Sequence, residues 1–217
     1  MIHAIVFDFD GVLADSEPLH LRAYQEAFSR HGVTLERSEY YTRYLGFDDE
    51  SAARAMAQDH GLELDERRLR ELLDAKTTIF DRLLASGNVL YPGAGECVGR
   101  LAHAFPLGIA SGALRHEIEA ILRGNGLDHH FRFIVAAGDT VAGKPAPDPY
   151  RRAAEMHGRD AAACVAIEDS RWGIESAKAA GMKCVGITNT YPADELTAAD
   201  AVIGSLDEFT EAFIRRL

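Results

Sequence analysis

The sequence predicts an α/β fold whose core is a doubly wound, parallel, Rossmann-like sheet, and three observations carry this prediction. Short, almost continuously apolar runs recur along the chain. Segments whose apolar residues are spaced as in a helix separate these runs. One long stretch lacks any such run. Apolar runs of this kind are typical of strands buried on both faces of a parallel sheet. Their alternation with helices indicates βαβ units with right-handed crossovers.

The predicted strands cover 2–7, 107–110, 133–136, 164–167, 184–187 and 201–203. The helices predicted between and after them cover 94–104, 115–124, 148–157, 171–180 and 206–215. Gly126, Gly158 and Gly181 lie where helices are expected to end, because glycine tolerates the left-handed backbone of many C-caps.

The stretch from 16 to 88 contains apolar residues at helical spacing only, as in Leu69, Leu72 and Leu73. Its predicted helices cover 18–31, 36–44, 49–59 and 66–85. We therefore predict a helical bundle inserted into the sheet domain. This divides the chain into an α/β core of residues 1–15 and 89–217 and a helical domain of residues 16–88.

The composition argues against several classes of protein. The 217 residues carry 23 basic and 34 acidic side chains, a net charge of −11, which disfavours a nucleic-acid or anionic-membrane partner. The cysteines Cys97, Cys164 and Cys184 show no CxxC spacing, so neither a disulfide framework nor a structural zinc site is expected. The start of the chain lacks the basic region of a signal peptide. We expect a cytoplasmic protein that is a monomer or a weak dimer.

Polar residues follow several of the predicted strands, at the edge where open parallel sheets bind ligands. In chain order they are Asp8 and Asp10, Ser111 and Gly112, Lys144, and Glu168 with Asp169. Each of them alone is ordinary turn chemistry. Together they predict a single polar site at one edge of an otherwise apolar sheet.

The acidic members of this set indicate a metal ion. Asp8 and Asp10 are two positions apart on an extended segment, so their side chains point to the same side. Glu168 and Asp169 bring the number of carboxylates to as many as four, a cluster that is electrostatically unstable without a cation. Because all these ligands are oxygen, Mg²⁺ is favoured over Ca²⁺ or Zn²⁺.

The remaining members suit a phosphate group. Lys144 offers a point charge, Ser111 a hydroxyl, and Gly112 a backbone amide. A cation and a lysine together would offset the repulsion between a carboxylate and an anionic phosphoryl group.

Four segments resemble, in order, the motifs of the haloacid dehalogenase superfamily: Asp8-Phe9-Asp10-Gly11-Val12, Ala110-Ser111-Gly112, Gly143-Lys144-Pro145 and Ile167-Glu168-Asp169-Ser170. The resemblance covers essentially the whole chain, and the helical insert resembles the α-helical cap of the C1 type. Its nearest branches are the β-phosphoglucomutase-like and phosphoglycolate-phosphatase-like members.

The resemblance implies that Asp8 is a nucleophile that forms an aspartyl-phosphate. It implies that Asp10 first protonates the leaving group and then activates the hydrolytic water. The implied Mg²⁺ ligands are Asp8, the main-chain carbonyl of Asp10, and Asp169, with Glu168 as a further ligand or directly behind them.

Ser111, the Gly112 amide and Lys144 are implied to bind the transferring phosphoryl group. Members that act as dehalogenases need neither a second aspartate nor Mg²⁺. Because this chain keeps Asp10 and the Glu168-Asp169 pair, it resembles the phosphotransfer branch.

Three residues of the helical domain are candidates for coupling to substrate. His20, Gly46 and Lys76 fall where β-phosphoglucomutases carry such cap residues. The alternative is that His20 lies on an exposed helix and Lys76 on a polar helical face, without a role.

Two departures count against a mutase, which must hold a second phosphate. Asp48 and Asp49 occupy the region of the expected arginine, and no Ser-Lys pair follows Ser111. Arg43 or Arg115 would have to substitute.

We therefore expect a phosphoric monoester hydrolase, a Mg²⁺-dependent phosphatase acting on a small phosphorylated metabolite such as a sugar phosphate or phosphoglycolate. The alternative is a phosphosugar mutase. Less favoured are a phospho-receiver signalling domain, whose acidic pair and phospho-acceptor follow different strands, and a non-catalytic sugar-binding protein.

Overall fold

The computed structural model describes residues 1–45, 47–84 and 89–217. Its strands are β1 (Ala4–Phe7), β2 (Leu107–Ala110), β3 (Phe131–Val135), β4 (Cys164–Glu168), β5 (Lys183–Ile187) and β6 (Ala201–Ile203). They form one parallel sheet in the order β3-β2-β1-β4-β5-β6. The predicted α/β class and sheet are thus confirmed.

The helices are α1 (Glu17–Ser29), α2 (Arg37–Arg43), α3 (Asp49–Asp59), α4 (Glu66–Leu84), α5 (Ala94–Ala102), α6 (Arg115–Gly124), α7 (Asp148–His157), α8 (Arg171–Ala179) and α9 (Glu211–Ile214). In the described part of the chain, no strand lies between β1 and the first four helices, and the others alternate with or follow the remaining strands.

The strand β1 lies at the centre of the sheet, and all four of its residues are buried. Phe7 is paired with Ile109 of β2 on one side and with Ile167 of β4 on the other. The order of the strands reverses at this point, because β2 and β3 lie on one side and β4 to β6 on the other. Open α/β sheets bind ligands at such a reversal, at the carboxyl ends of the strands.

The chain divides into two compact units, one of Met1–Asp15 with Val89–Leu217 and one of Ser16–Asn88. The interior of the first unit is the sheet with its packed helices. The second is a helical bundle in which α1 packs along α4. Its core includes Tyr24, Phe28, Met56 and Leu72, all almost fully buried.

Several predicted elements have bounds that differ from the observed ones, and the last helix differs most. The third strand begins at Phe131, two residues before its predicted start, and ends at Val135. The helix predicted over 206–215 covers only Glu211–Ile214. Thr210 caps it from extended backbone by accepting a hydrogen bond from Phe213 N, while the Glu208 carboxylate accepts from Gly204 N and Ser205 N in the preceding turn.

Among the described residues, none of the helices has the length and apolar character that a membrane crossing requires. The thiols of Cys97, Cys164 and Cys184 are free and buried.

Candidate active site

The centre of the site is an ion pair network between the ends of β1 and β4. Lys144 Nζ donates to Asp8 Oδ1 at 2.7 Å and to Glu168 Oε1 at 2.6 Å. Asp8 directly follows β1, and Glu168 is the last residue of the neighbouring β4. Lys144 thus contacts two other predicted site residues, which lie 136 and 24 positions away from it in the chain.

Burial and neighbouring charges shift the pKa values of Asp8 and Lys144. Burial, reinforced by the Glu168 carboxylate and opposed by Lys144, raises the pKa of Asp8 to about 7. Burial alone would lower the pKa of Lys144, but Asp8 and Glu168 raise it above its ordinary value. The lysine is therefore a cation at neutral pH, whereas Asp8 is only partly ionised there unless further positive charge is present.

Asp169 completes a group suited to a metal ion. One carboxylate oxygen from each of Asp8, Glu168 and Asp169 lies within 4.8 Å of the others, and all three residues are buried. Burial, with the charges of Glu168 and Asp8, raises the pKa of Asp169 well above its usual range. Lys144 balances one of these three negative charges. The surplus of buried oxygen ligands fits a hard divalent cation.

Asp10 and Ser111 lie at the same edge of the sheet. Asp10 is half-buried, and its charge adds to those that raise the pKa of Asp8. Ser111 follows β2 and is buried, with its Oγ accepting from the Ala113 amide at 3.1 Å. Gly112, next to it, is exposed. Since β2 pairs with β1, Ser111 and Gly112 follow the strand next to the one that ends before Asp8.

Gly11 allows the loop after β1 to approach Asp169. Its φ of +76° is in the left-handed region, and a Cβ atom there would lie 1.9 Å from Asp169 Oδ2. Any side chain would therefore strain the backbone and displace the carboxylate.

Sequence reasoning missed two residues that follow β5. Asn189 Nδ2 donates to the Gly11 carbonyl at 2.8 Å. The Thr190 side chain forms a hydrogen bond with Asp169 that opposes the rise in the pKa of that carboxyl group. The polar run Thr188-Asn189-Thr190 at the end of an apolar strand was the available signal.

Two of the candidates in the helical unit contact each other. Lys76 Nζ lies 2.9 Å from His20 Nδ1 and donates to both carboxylate oxygens of Asp49 at 2.7 and 2.8 Å. Burial and the Lys76 charge lower the pKa of His20 to about 3, so the ring is neutral and its Nδ1 accepts a hydrogen bond from the Lys76 ammonium. Lys76 has no exposed surface, so the alternative of a solvated polar face is wrong for it. Gly46 lies outside the described residues.

The two basic candidates for a second phosphate are paired with carboxylates. Arg43 Nη2 lies 2.7 Å from Asp59 Oδ2. Arg115 Nη2 donates to Asp139 Oδ2 at 2.6 Å and to the Ile134 carbonyl at 2.8 Å. Both guanidinium groups are already engaged in local structure.

Comparison with known proteins agrees with this geometry. Residues 2–181 match the family model of haloacid dehalogenase-like hydrolases. The chain is 34% identical over 208 residues to protein CbbY of Rhodobacter capsulatus, covering 92% of this chain and 91% of that one. It is 31% identical over 212 residues to validoxylamine A 7'-phosphate phosphatase of Streptomyces hygroscopicus subsp. limoneus, covering 96% of each.

A solved structure is also similar. A mutant CbbY from Rhodobacter sphaeroides in complex with xylulose-(1,5)bisphosphate superposes with a TM-score of 0.85, at 29% identity and 96% coverage of each chain. The fold, the arrangement of acidic residues around a lysine, and these matches lead to one conclusion. The chain belongs to the haloacid dehalogenase-like hydrolase family.

Proposed function

We propose that this protein is a Mg²⁺-dependent phosphatase that hydrolyses a small phosphate ester through an aspartyl-phosphate at Asp8. The observation that carries the proposal is the contact of Lys144 with both Asp8 and Glu168 beside Asp169. A lysine cation and a cluster of oxygen ligands at this carboxylate support the proposal, because with a bound cation they would offset the repulsion that an anionic phosphoryl group meets there.

In this mechanism Asp8 attacks phosphorus, and Lys144 holds the carboxylate in place while offsetting negative charge. Asp10 donates a proton to the leaving oxygen and then accepts one from the water that hydrolyses the aspartyl-phosphate. Ser111 and the Gly112 amide bind phosphoryl oxygens. Mg²⁺, held by Asp8, the Asp10 carbonyl and Asp169 with Glu168 beside them, would supply Lewis-acid stabilisation of the developing charge.

The substrate class is supported by the relatives. One is named for validoxylamine A 7'-phosphate, and another was crystallised with xylulose-(1,5)bisphosphate. We propose a phosphorylated sugar or sugar-like metabolite. The helical unit is proposed as the cap of this family, with His20, Gly46 and Lys76 as its substrate-coupling candidates.

Phosphatase activity is favoured over mutase activity by the basic residues. A mutase must bind a bisphosphate at both ends, yet Arg43 is paired with Asp59 and Arg115 with Asp139. The Lys76 ammonium donates to Asp49 and His20 within its own unit. These cations are therefore not available to a second phosphate without losing a carboxylate partner.

Two assays test the proposal. Turnover of p-nitrophenyl phosphate should require Mg²⁺, and Asp8→Asn should lower kcat by at least about a thousandfold, as removal of a nucleophile does elsewhere. With β-glucose 1-phosphate, inorganic phosphate should form faster than glucose 6-phosphate. Near wild-type turnover by Asp8→Asn would refute the nucleophile assignment, and faster formation of glucose 6-phosphate would favour the mutase.

A further inference from the structure

Tyr150 is a fully buried residue in the first turn of α7 that the mechanism above does not use. Its hydroxyl donates to Glu168 Oε1 at 2.8 Å. Its ring lies under the Lys144 ammonium, with Nζ 5.1 Å from the centroid, a distance at which cation–π attraction is significant. One side chain thus contacts both members of an ion pair in the candidate active site.

Neighbouring residues contact both oxygens of the Glu168 carboxylate and lie close to its carboxyl carbon. Oε1 accepts from Lys144 and Tyr150, while Oε2 faces the Asp169 amide at 3.2 Å and the Ser170 hydroxyl at 3.2 Å. Behind it lies Gly173, where a Cβ atom would be 1.9 Å from the carboxyl carbon. The orientation of this carboxylate is therefore set by its surroundings.

The Tyr150 hydroxyl matters because Lys144 is shared. Nζ lies 2.7 Å from Asp8 Oδ1 and 2.6 Å from Glu168 Oε1, so the two oxygens share the ammonium and the charge on each of them affects its position. The hydroxyl spreads the negative charge of Oε1 over a second donor. Without it, Lys144 would be the one strong donor left to Oε1 and would be drawn toward Glu168, away from Asp8.

We propose that Tyr150 is a positioning residue for the phosphoryl-transfer step: by donating to Glu168 Oε1 it keeps Lys144 within hydrogen-bond distance of Asp8. The proposal rests on the proposed function, because Asp8 must be the nucleophile for the position of Lys144 to affect the rate. Tyr150 itself touches neither the substrate nor Asp8 in this scheme.

The test is Tyr150→Phe, which keeps the ring and its contact with Lys144 and removes only the hydroxyl. We expect kcat for p-nitrophenyl phosphate to fall about tenfold, with KM changed less than about twofold, as for other residues that orient an active-site group. Tyr40→Phe is the matched control, since Tyr40 is also buried and donates to a carboxylate, Glu17 Oε2, at 2.7 Å within the helical unit. It should leave kcat unchanged.

A double-mutant cycle separates positioning from a loss of general packing. In a Glu168→Gln background, Tyr150→Phe should lower kcat by less than about twofold further, because residues acting through one another are not additive. An unchanged kcat in Tyr150→Phe overturns the inference, and so does an equal tenfold loss in the Glu168→Gln background. Failure of the wild-type protein to hydrolyse phosphate esters would instead refute the proposed function, and with it the step that Tyr150 is inferred to support.

Discussion

At the scale of single residues, the candidate site depends on side chains that orient the acidic groups as well as on those groups themselves. Asp169 is one of the expected metal ligands, and the Thr190 side chain is hydrogen-bonded to it. Because hydrogen bonds of this kind fix the direction of a ligand carboxylate, their loss weakens metal binding.

We therefore expect Thr190→Val, which keeps the shape and removes the hydroxyl, to weaken Mg²⁺ binding about tenfold. Thr190→Ser, which keeps the hydroxyl, should bind Mg²⁺ within about twofold of the wild type. Isothermal titration of the metal alone into each protein makes the comparison without any substrate. Equal affinities of the valine and serine variants would show that the hydroxyl has no part in the metal site.

Residues at strand ends could be found from the sequence because the sheet brings those ends together. Asp8 and Glu168 were identified in this way, and Lys144 from the segment between the third and fourth strands; the lysine contacts both carboxylates. Tyr150 and Thr190 were not identified. A tyrosine inside an amphipathic helix has the pattern of a core residue, and the hydrogen bond of Thr190 to Asp169 depends on the path of the loop after β5.

At the scale of elements, the helical unit contains a buried polar network that ties α1, α3 and α4 together. The Lys76 ammonium of α4 is fully buried and is bonded to Asp49 of α3 and His20 of α1. Tyr24 of α1 donates to the same Asp49 carboxylate at 2.8 Å. Removing one partner of a buried ion pair is costly because the other charge is left uncompensated.

The two partners should not be equivalent in their effect on stability. Asp49→Asn leaves a lysine with no exposed side-chain surface unpaired, and we expect it to cost about 3 kcal/mol. Lys76→Met leaves Asp49, whose side chain is 34% exposed and can be hydrated, so its cost should be smaller. Urea denaturation of the full chain measures both. A larger loss for Lys76→Met would contradict this description of the network.

Uniform burial explains why the central strands could be located from the sequence. The strands β1, β2 and β4 are buried at every residue, and their apolar runs located them to within about two residues. The last helix was predicted too long because 206–215 has helical spacing throughout. The capping hydroxyl of Thr210 and the turn around Glu208 determine its start, and both are local hydrogen bonds that apolar spacing does not report.

At the scale of the whole molecule, the buried carboxylates link stability to pH and to metal. The pKa of Asp8 rises from 3.8 to about 7, mainly through burial. Between these pH values the Asp8 carboxyl group binds more protons in the folded protein than in the unfolded chain, so its contribution to the stability of the metal-free protein falls as pH rises through that window. A divalent cation that binds the ionised carboxylates should restore this stability.

The expected result is a stabilisation by Mg²⁺ that grows with pH. The midpoint of thermal unfolding, compared in EDTA and in Mg²⁺, should differ little near about pH 5 and clearly above about pH 7. Asp8→Asn, which lacks the titrating carboxyl group, should show a weaker pH dependence of the Mg²⁺ effect. A Mg²⁺ effect that is larger at acidic pH than at neutral pH would contradict the assignment of Asp8 to the metal site.

The central claim is that the Asp8 carboxylate accepts the phosphoryl group, and trapping that intermediate tests it most directly. The wild-type protein would be mixed with Mg²⁺ and a phosphate ester, quenched in acid within the first turnover, digested, and analysed by mass spectrometry. The claim predicts a phosphoryl group on Asp8 that is absent from the Asp8→Asn protein. A phosphoryl group on another residue, or one that persists in Asp8→Asn, would contradict it.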